Sequence, residues 1–490
     1  MLCCPGRLEG WCEMILFDRE KLYADRILAL DDKGRSVTYG QFNDFSGELY
    51  RKTGGKKLMF ILCENTIESL LGYLGCLKTG IVPLMLDSHI HPSLLNGLIR
   101  EYHPEFLYAP EACMGKIEDG EVIWHTGGYC LCRRNEKLPP SLFSQLSLLL
   151  TTSGSTGSPK LVRQSGDNID ANAQSIASYL EINENERPVT TLPMNYTYGL
   201  SIINSHVLMG CTLLLTTYGV LEPSFWEFAR KNKAASLGGV PYTYQILKRI
   251  GFMDMDLPDL KTITQAGGRL PPGLHKEFAL YAKRTNRKLF VMYGQTEATA
   301  RMGYLPAAKS LEKCGSMGIA IPGGRFWLED EQGGVITKPD VTGELVYQGK
   351  NVALGYACSK DDLIKPDEWK GVLHTGDIAS RDSDGYYYIT GRKKRFIKVS
   401  GSRVNLDEVE RLLKEQYEGI DFACVGSDDK LVIFTDHLIP EAGEDILEYL
   451  YRVTGIGSRA AAVKRVDLIP KNESGKTLYK KLETTADNRE

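Results

Sequence analysis

The chain of 490 residues is too long for one compact domain, because domains average roughly 100 to 200 residues. Its composition, 42% hydrophobic and 25% charged, is that of a globular protein and excludes a disordered, collagen-like or coiled-coil chain. The 59 Lys and Arg nearly balance the 62 Asp and Glu, and the formal net charge of -3 argues against a nucleic-acid-binding role.

The N-terminal segment MLCCPGRLEGWCEM lacks the pattern of a secretory signal, because no apolar run precedes a small-residue cleavage site. We expect residues 1–14 to be a disordered extension or to reflect an upstream start. No apolar run reaches the roughly 20 residues that a membrane helix needs, which argues against membrane insertion. The 12 cysteines lack the C-x2-C spacing of zinc sites, and we interpret them as reduced thiols of a cytoplasmic protein.

Residues 57–294 alternate short apolar runs with helical patterns, which predicts βαβ units around a largely parallel sheet. The predicted strands are 58–63, 81–86, 146–150, 189–192, 212–217, 235–240, 261–266 and 288–293. Helices are predicted between most of them, the first over 66–78. A later helix has Asp167 as its predicted N-cap and an apolar face formed by Ile169, Ala173, Ile176, Ala177 and Leu180.

The pattern changes to short strands and turns after about residue 315. The pairs Gly333-Gly334 and Asp384-Gly385 are typical of turns between strands, so we predict a β-rich subdomain over about 315–391. A helix over about 406–416, with Asn405 as its N-cap, and strands at 422–425 and 431–434 follow. The predicted fold is α/β, with a large N-terminal domain at 15–391 and a small α+β C-terminal domain at 392–490.

The segment TTSGSTGSPK (151–160) directly follows an apolar strand. Its glycines allow a loop to bring backbone N–H groups close to an anion, while the hydroxyls and the lysine add donors and positive charge. This composition indicates either a phosphate-binding loop or an ordinary surface turn. The spacing does not fit the G-x4-G-K-[ST] pattern of a P-loop.

Six motifs in order resemble those of the adenylate-forming enzyme superfamily, which includes acyl-CoA synthetases, peptide synthetase adenylation domains and beetle luciferases. They are TSGSTGSPK (152–160), YGQTE (293–297), TGELVYQG (342–349), LHTGD (373–377), GRKKRFIKVSGSRVNLDEVE (391–410) and PKNESGK (470–476). With similar segments upstream, the resemblance covers about residues 37–482. It implies a ligase that uses ATP to convert a carboxylic acid to an acyl adenylate and passes the acyl group to a thiol.

The resemblance implies a nucleotide site assembled from these motifs. Glu297 follows a predicted strand end, where a carboxylate suits Mg2+ bound to nucleotide phosphates. Thr296 is expected to contact the α-phosphate, and Asp377, predicted in a turn between β segments, to accept hydrogen bonds from the ribose hydroxyls. Lys476 is the expected catalytic cation of adenylation, because it can offset the charge that develops when a carboxylate attacks the phosphate. The other expected nucleotide-binding residues are Thr152, Ser153, Gly154, Ser155, Thr156, Gly157, Lys160, Gly267, Gly268, Tyr293, Gly294 and Arg392.

The basic run at 392–398 resembles the hinge about which the small domain of these enzymes rotates between adenylation and thioester formation. Lys394 occupies the hinge position, and the C-terminal domain is therefore expected to be mobile. Val399, Ser400 and Gly401 would then line the path of the acceptor thiol, where small residues suit a narrow tunnel.

Residues 192–210 resemble the segment that shapes the acyl pocket, to which we assign Tyr196 and Gly199. Tyr196 stands where many acyl-CoA synthetases have a histidine. The segment lacks the aspartate that pairs with an α-amino acid, so such a substrate is disfavoured. Arg301 is assigned to the pocket as a partner for a polar substrate group, although the sequence favours an exposed arginine on a helix.

Two alternatives to the leading function stay open at this point. The acceptor is either CoA, which we favour, or a free-standing acyl carrier protein that acts in trans. A catalytically idle nucleotide-binding homologue is the alternative of another class, and the retention of Lys476, Glu297 and Asp377 argues against it. We therefore predict an AMP-forming acid–thiol ligase that uses ATP and Mg2+ and binds a small carboxylic acid of unspecified identity.

Overall fold

The computed structural model of the protein describes residues 14–487, apart from 19, 118, 137–138, 152–159, 394, 400–401, 418, 428–429, 437–441, 455, 458–459 and 472–476. The chain forms two compact units. Unit 1 comprises Met1–Arg325 and Tyr347–Leu373, and unit 2 comprises Phe326–Val346 and His374–Glu490. The predicted β-rich subdomain at about 315–391 is divided between them.

An eight-stranded sheet in unit 1 has a parallel centre. The central strand Leu58–Cys63 is buried at every residue, as an apolar run covered on both faces should be. It pairs in parallel with Val82–Asp87 and with Phe106–Pro110, which confirms the predicted parallel arrangement. In spatial order the strands are Gly355–Ala357, Leu161–Ser165, Leu146–Thr151, Val82–Asp87, Leu58–Cys63, Phe106–Pro110, Tyr129–Arg133 and Glu121–Thr126.

A nine-stranded sheet in unit 1 carries the loops of the candidate site. Thr262–Gln265 pairs in parallel with Ser236–Gly239 on one side and with Lys288–Tyr293 on the other, so the carboxyl ends of all three strands lie at one edge. Open α/β sheets bind their ligands at such an edge. In spatial order the strands are Ile319–Ala320, Gly303–Leu305, Lys288–Tyr293, Thr262–Gln265, Ser236–Gly239, Pro188–Val189, Leu213–Leu215, Ile27–Asp31 and Ser36–Thr38.

The helices of unit 1 follow the predicted alternation with strands. The helix Gly166–Leu180 begins after Ser165, whose hydroxyl accepts a hydrogen bond from the N–H of Asn168 in a capping box, so the predicted N-cap at Asp167 is wrong. The five predicted apolar residues of this helix are all buried. The α-helices of unit 1 are Tyr39–Thr53, Ile67–Thr79, Pro92–Tyr102, Gly166–Leu180, Thr197–Leu208, Pro223–Lys231, Pro241–Arg249 and Pro272–Arg284. Within the described ranges, no helix has the length and apolar character needed to cross a membrane.

Unit 2 has three sheets and three helices in its described part. A five-stranded sheet, built mostly from unit 2, has the order Val335–Ile336, Arg325–Glu329, Gly343–Gln348, Val372–Arg381 and Tyr387–Arg392. The other sheets are the pair Phe396–Val399 and Ser402–Asn405 and the triplet Phe422–Ser427, Lys430–Thr435 and Ala461–Arg465. The helices are Leu406–Gln416, Ala442–Thr454 and Tyr479–Asp487. The first begins at the predicted N-cap, Asn405, whose side chain accepts from two backbone N–H groups.

Candidate active site

The strand at 288–293 and the loop after it bring four of the predicted site residues to the sheet edge. Tyr293, the last residue of the strand, and Gly294, Thr296 and Glu297 are all partly exposed. A Cβ atom at Gly294 would overlap the carbonyl oxygen of Ala300, so the loop can close this tightly only with glycine. Because these four residues are partly exposed, this loop is accessible to a ligand.

The loop returns through a strained backbone conformation. Thr299 and Ala300 have φ angles of 59° and 136°, which L-residues rarely adopt. Asn351 stabilises this conformation. Its side-chain Nδ2 donates to the backbone carbonyl oxygens of Ala298 at 2.8 Å and of Arg301 at 3.0 Å. Its own backbone carbonyl oxygen accepts a hydrogen bond from Thr299 Oγ1 at 2.7 Å. Strain of about 1–3 kcal/mol per residue persists only where surrounding contacts impose it. These contacts therefore hold the preceding turn in one orientation.

Two further amide side chains, which the sequence analysis missed, hold the same loop. Gln164 Nε2 donates to the carbonyl oxygen of Thr296 at 3.0 Å, and Asn172 Nδ2 donates to that of Arg301 at 2.8 Å. Both side chains are buried, and buried polar groups are normally hydrogen-bonded. The strand Leu161–Ser165, which carries Gln164, was not predicted from the sequence, and the one available signal was an asparagine three residues after the apolar Ile169 on the predicted helix.

Glu297 is placed by a tyrosine that the motifs do not include. The hydroxyl of Tyr356 donates to Glu297 Oε1 at 2.8 Å, and the Nζ of Lys160 lies 3.3 Å from the centroid of the Tyr356 ring. Burial, and next the charge of the carboxylate, raise the pKa of Tyr356, so its hydroxyl stays a donor. Among the described residues, no cationic side chain forms an ion pair with Glu297. A partly exposed carboxylate oriented in this way fits an oxygen ligand of Mg2+.

Arg163 anchors the strand that carries Tyr356. Its side chain is fully buried and donates to the carbonyl oxygens of Tyr356 at 3.1 Å, Leu354 at 3.3 Å and Pro366 at 3.4 Å. It also forms an ion pair of 2.5 Å with Glu368. Because several acceptors satisfy this guanidinium, the backbone around Tyr356 is tied to the strand Leu161–Ser165.

The structure brings the predicted residues Gly267 and Tyr196 together. Gly267 has a φ angle of +83°, and a Cβ atom there would lie 2.5 Å from the hydroxyl of Tyr196. Gln265 holds the loop, since its Nε2 donates to the carbonyl oxygens of Ala266 at 3.1 Å and Gly268 at 2.9 Å. The predicted nucleotide loop at Gly267 and the predicted gate of the acyl pocket at Tyr196 are therefore neighbours.

The predicted acyl-pocket residues Gly199 and Arg301 both lie in the interior of unit 1. Gly199 is in the first turn of the helix Thr197–Leu208, where a Cβ atom would overlap the carbonyl oxygen of Pro193. The favoured interpretation of Arg301 as an exposed helix residue is wrong, because it is 2% exposed and lies between the short turn at 296–298 and the strand Gly303–Leu305. The chain leaves the turn at Ala300 in a conformation that a helix cannot continue.

Asp377 and Arg392 are neighbours within unit 2. They are register partners on adjacent strands, and Arg392 Nε lies 3.3 Å from Asp377 Oδ1. The predicted turn at Asp377 is wrong, since the residue lies inside the strand Val372–Arg381, where its side chain is nearly buried. Its N–H donates to Thr375 Oγ1 at 3.1 Å. Arg392 is mostly exposed, and its planar guanidinium lies beside the carboxylate.

Several predicted residues lie outside the described residues. They are Thr152, Ser153, Gly154, Ser155, Thr156, Gly157, Lys394, Ser400, Gly401 and Lys476. Val399 is the last residue of the strand Phe396–Val399, and its side chain is not among the described parts of the chain.

Known proteins resemble the chain over nearly all of its length. It is 25% identical over 484 residues to a 2-succinylbenzoate–CoA ligase of Oceanobacillus iheyensis, which covers 94% of this chain and 97% of that protein. The 2-succinylbenzoate–CoA ligase of Bacillus licheniformis is 28% identical over 495 residues, with 95% and 98% covered. These similarities favour an acid–CoA ligase over the two alternatives.

Solved structures and a family model agree with the predicted fold. The o-succinylbenzoate CoA synthetase of Bacillus subtilis, solved with an acyl-adenylate intermediate, superposes with a TM-score of 0.77 at 20% identity and covers 98% of this chain and 99% of that one. The predicted α/β fold is thus confirmed. The model of the AMP-binding enzyme family matches residues 17–357. This match confirms the superfamily that the motifs predicted, and the chain belongs to the family of AMP-binding enzymes.

Proposed function

We propose that the chain is an AMP-forming ligase that joins a carboxylic acid to CoA. In the first half-reaction a carboxylate oxygen bonds to the α-phosphorus of ATP, and the bond to the bridging oxygen breaks to release pyrophosphate. In the second, the sulfur of CoA bonds to the acyl carbon, AMP leaves, and the thiol proton is released. The relatives named above are CoA ligases, which supports CoA as the acceptor.

The observation that carries this proposal is the placement of Thr296 and Glu297. Both stand on a hydrogen-bonded, strained loop at the carboxyl edge of the sheet, and Tyr356 orients the carboxylate of Glu297. Glu297 would hold Mg2+, which neutralises phosphate charge when bound. Thr296 donates its hydroxyl to the α-phosphate, and Lys160 adds positive charge beside Glu297.

The adenine and the phosphates have further proposed partners in unit 1. Tyr293 packs against the base, and the backbone of Gly267, Gly268 and Gly294 allows the nucleotide to approach closely. Thr152, Ser153, Gly154, Ser155, Thr156 and Gly157 supply the phosphate-binding loop.

Unit 2 supplies the remaining proposed roles. Asp377 accepts hydrogen bonds from the ribose hydroxyls, and the guanidinium of Arg392 binds the ribose or the phosphates. Lys476 offsets the charge that develops during adenylation. We also propose a large domain at 15–391 and a small one at 392–490, with a hinge at Lys394 and a thiol path along Val399, Ser400 and Gly401. A cytoplasmic location remains a prediction from the cysteine spacing.

The test of the proposed function is carboxylate-dependent exchange of pyrophosphate into ATP in the presence of Mg2+. A panel of fatty, aromatic, hydroxy, amino and dicarboxylic acids, including 2-succinylbenzoate, is compared with a reaction without acid. We expect exchange with one acid class, and AMP release with that acid only after CoA is added. If protein that binds ATP shows no pyrophosphate exchange with any acid of the panel, the proposal is contradicted.

A further inference from the structure

Three side chains with metal-binding atoms meet at the edge of the eight-stranded sheet. Glu111 directly follows the strand Phe106–Pro110, and His125 and Cys130 lie on the two outer strands of the sheet. His125 Nδ1 is 3.1 Å from Glu111 Oε1 and 3.4 Å from Cys130 Sγ, and all three atoms lie within 4.8 Å of one another. A carboxylate, an imidazole and a thiol therefore converge on one point.

The backbone brings these side chains together. His125 and Cys130 are register partners on the antiparallel strands Glu121–Thr126 and Tyr129–Arg133, so their side chains lie on the same face of the sheet. The N–H of Glu111 donates to the carbonyl oxygen of Gly128 at 2.9 Å, in the turn between these strands. The fold therefore assembles the group without relying on contacts between the side chains themselves.

Hydrogen bonds alone do not satisfy the three side chains. A ring nitrogen of a neutral imidazole is either a donor or an acceptor. If Nδ1 of His125 carries the proton, it donates to Glu111 but cannot accept from the thiol of Cys130. If it does not, its lone pair faces those of the carboxylate. A cation, in contrast, accepts lone pairs from oxygen, nitrogen and sulfur at the same time.

The distances fit a tetrahedral zinc ion. Bonds of about 2.0–2.2 Å to nitrogen and oxygen and of about 2.3 Å to sulfur place tetrahedral ligand atoms about 3.3–3.6 Å apart. The observed separations of 3.1 Å and 3.4 Å are close to these values. Mg2+ and Ca2+ prefer oxygen ligands alone, whereas Zn2+ binds sulfur, nitrogen and oxygen. We propose that Glu111, His125 and Cys130 bind one Zn2+ ion, with water as the fourth ligand.

The proposed site is open on one side. The side chains of His125 and Glu111 are 69% and 55% exposed, whereas Cys130 is buried. Within the described part of the chain, no fourth Asp, Glu, His or Cys joins the group, which leaves a position for water. Burial, and next the charge of Glu111, raise the pKa of Cys130, so the metal-free thiol is protonated at pH 7. On binding, a sulfur–zinc bond replaces the sulfur–hydrogen bond, and the proton leaves to solvent.

Zn2+ bound in this way would connect the segment that begins at Glu111 to the two outer strands of the sheet. These strands contact the rest of the sheet only through Tyr129–Arg133, which pairs with Phe106–Pro110. The ion adds a second connection, and we expect it to stabilise the edge of the sheet. This inference does not depend on the proposed ligase function.

The test is Zn2+ binding to the reduced full-length chain after a chelator has removed any metal. Competition with a chromophoric zinc indicator gives the stoichiometry and the affinity. Cys130→Ser and His125→Gln should each weaken binding at one site per chain by about 100-fold or more, since even residues that only orient metal ligands contribute about 10- to 100-fold. Co2+ in place of Zn2+ should give a thiolate charge-transfer absorption in the natural protein and not in Cys130→Ser.

His89→Gln is the matched control. His89 Nδ1 also lies 3.1 Å from a carboxylate oxygen, that of Asp87, but no third metal-binding side chain among the described residues joins that pair. Cys358→Ser, at an exposed thiol, controls for the loss of a cysteine. Both controls should bind Zn2+ as the natural chain does.

Thermal unfolding shows whether each variant is folded. Where Cys130→Ser does not fold, His125→Gln decides, because it changes an exposed side chain. The inference is overturned if the natural chain does not compete with the indicator, or if folded Cys130→Ser and His125→Gln variants bind Zn2+ as tightly as the natural chain. A Co2+ spectrum of the natural protein without the thiolate absorption also overturns it.

Discussion

The side-chain amide of Gln164 donates a hydrogen bond of 3.0 Å to the carbonyl oxygen of Thr296. Gln164 lies in the strand that follows the predicted phosphate-binding loop, and Thr296 belongs to the second motif, 132 residues further along the chain. The bond therefore ties the loop that carries Thr296 to the strand that follows the predicted phosphate-binding loop, through a residue that neither functional assignment includes.

Substitution of Gln164 by alanine removes this hydrogen bond. Gln164→Ala should lower the rate of pyrophosphate exchange by about 10- to 100-fold, because a displacement of about 1 Å at reacting groups costs that much. The free energy of unfolding should fall by only about 1–3 kcal/mol, as expected for an unsatisfied buried acceptor. Exchange kinetics and urea unfolding measure the two effects. Gln174→Ala, at an exposed position of the helix Gly166–Leu180, is the matched control and should change neither. A folded Gln164→Ala variant with normal exchange would refute the positioning role.

Glu297→Gln tests the metal assignment. The variant should lose about 100-fold or more in kcat/KM, as when one electrostatic group is removed from a transition state, and should need more Mg2+ for half-maximal exchange. Tyr356→Phe, which only frees the carboxylate to rotate, should cause a smaller loss of the same kind. The exposed Glu312 provides the control Glu312→Gln. An unchanged Mg2+ titration in Glu297→Gln would mean that another group binds the metal.

Asp377→Ala tests the ribose assignment in unit 2. We expect the KM for ATP to rise by about 10- to 100-fold, since hydrogen bonds to a charged group contribute about 1.5–3 kcal/mol. The natural enzyme should discriminate against 2′,3′-dideoxy-ATP, and the variant should not, because the partner of the hydroxyls is gone. Asp384→Ala, in the turn of the same strand pair, serves as the control. If the variant discriminates as strongly as the natural enzyme, Asp377 does not contact the ribose.

Lys476→Ala separates the two half-reactions. Adenylation should fall by about 100-fold or more, because the cation acts only on the charge that develops at the phosphate. Thioester formation from a preformed acyl adenylate should stay largely intact. Pyrophosphate exchange and single-turnover transfer to CoA measure the two steps. Equal losses in both would contradict the assignment.

Much of the local structure could be predicted because its causes are local. The strands Leu58–Cys63 and Lys288–Tyr293 and the helix Leu406–Gln416 have the predicted bounds, since apolar runs, flanking polar residues and the cap at Asn405 mark both ends. The parallel arrangement of the sheets follows from the alternation of strands and helices. The motifs likewise indicated the family, because phosphate-binding and metal-binding chemistry needs glycines, hydroxyls and carboxylates close together in sequence.

The sequence by itself thus determined the fold class, the family and the loop that carries Thr296 and Glu297. Only the tertiary structure decided which side chains hold that loop and which charge is buried. Tyr356 reaches Glu297 across 59 residues, and Arg301 meets Ser201 across 100. Neither contact changes the spacing of hydrophobic residues along the chain. That spacing indicates which face of a helix or strand is buried, but it does not indicate which residues pack against that face. The burial of Arg301 is therefore a property of packing alone.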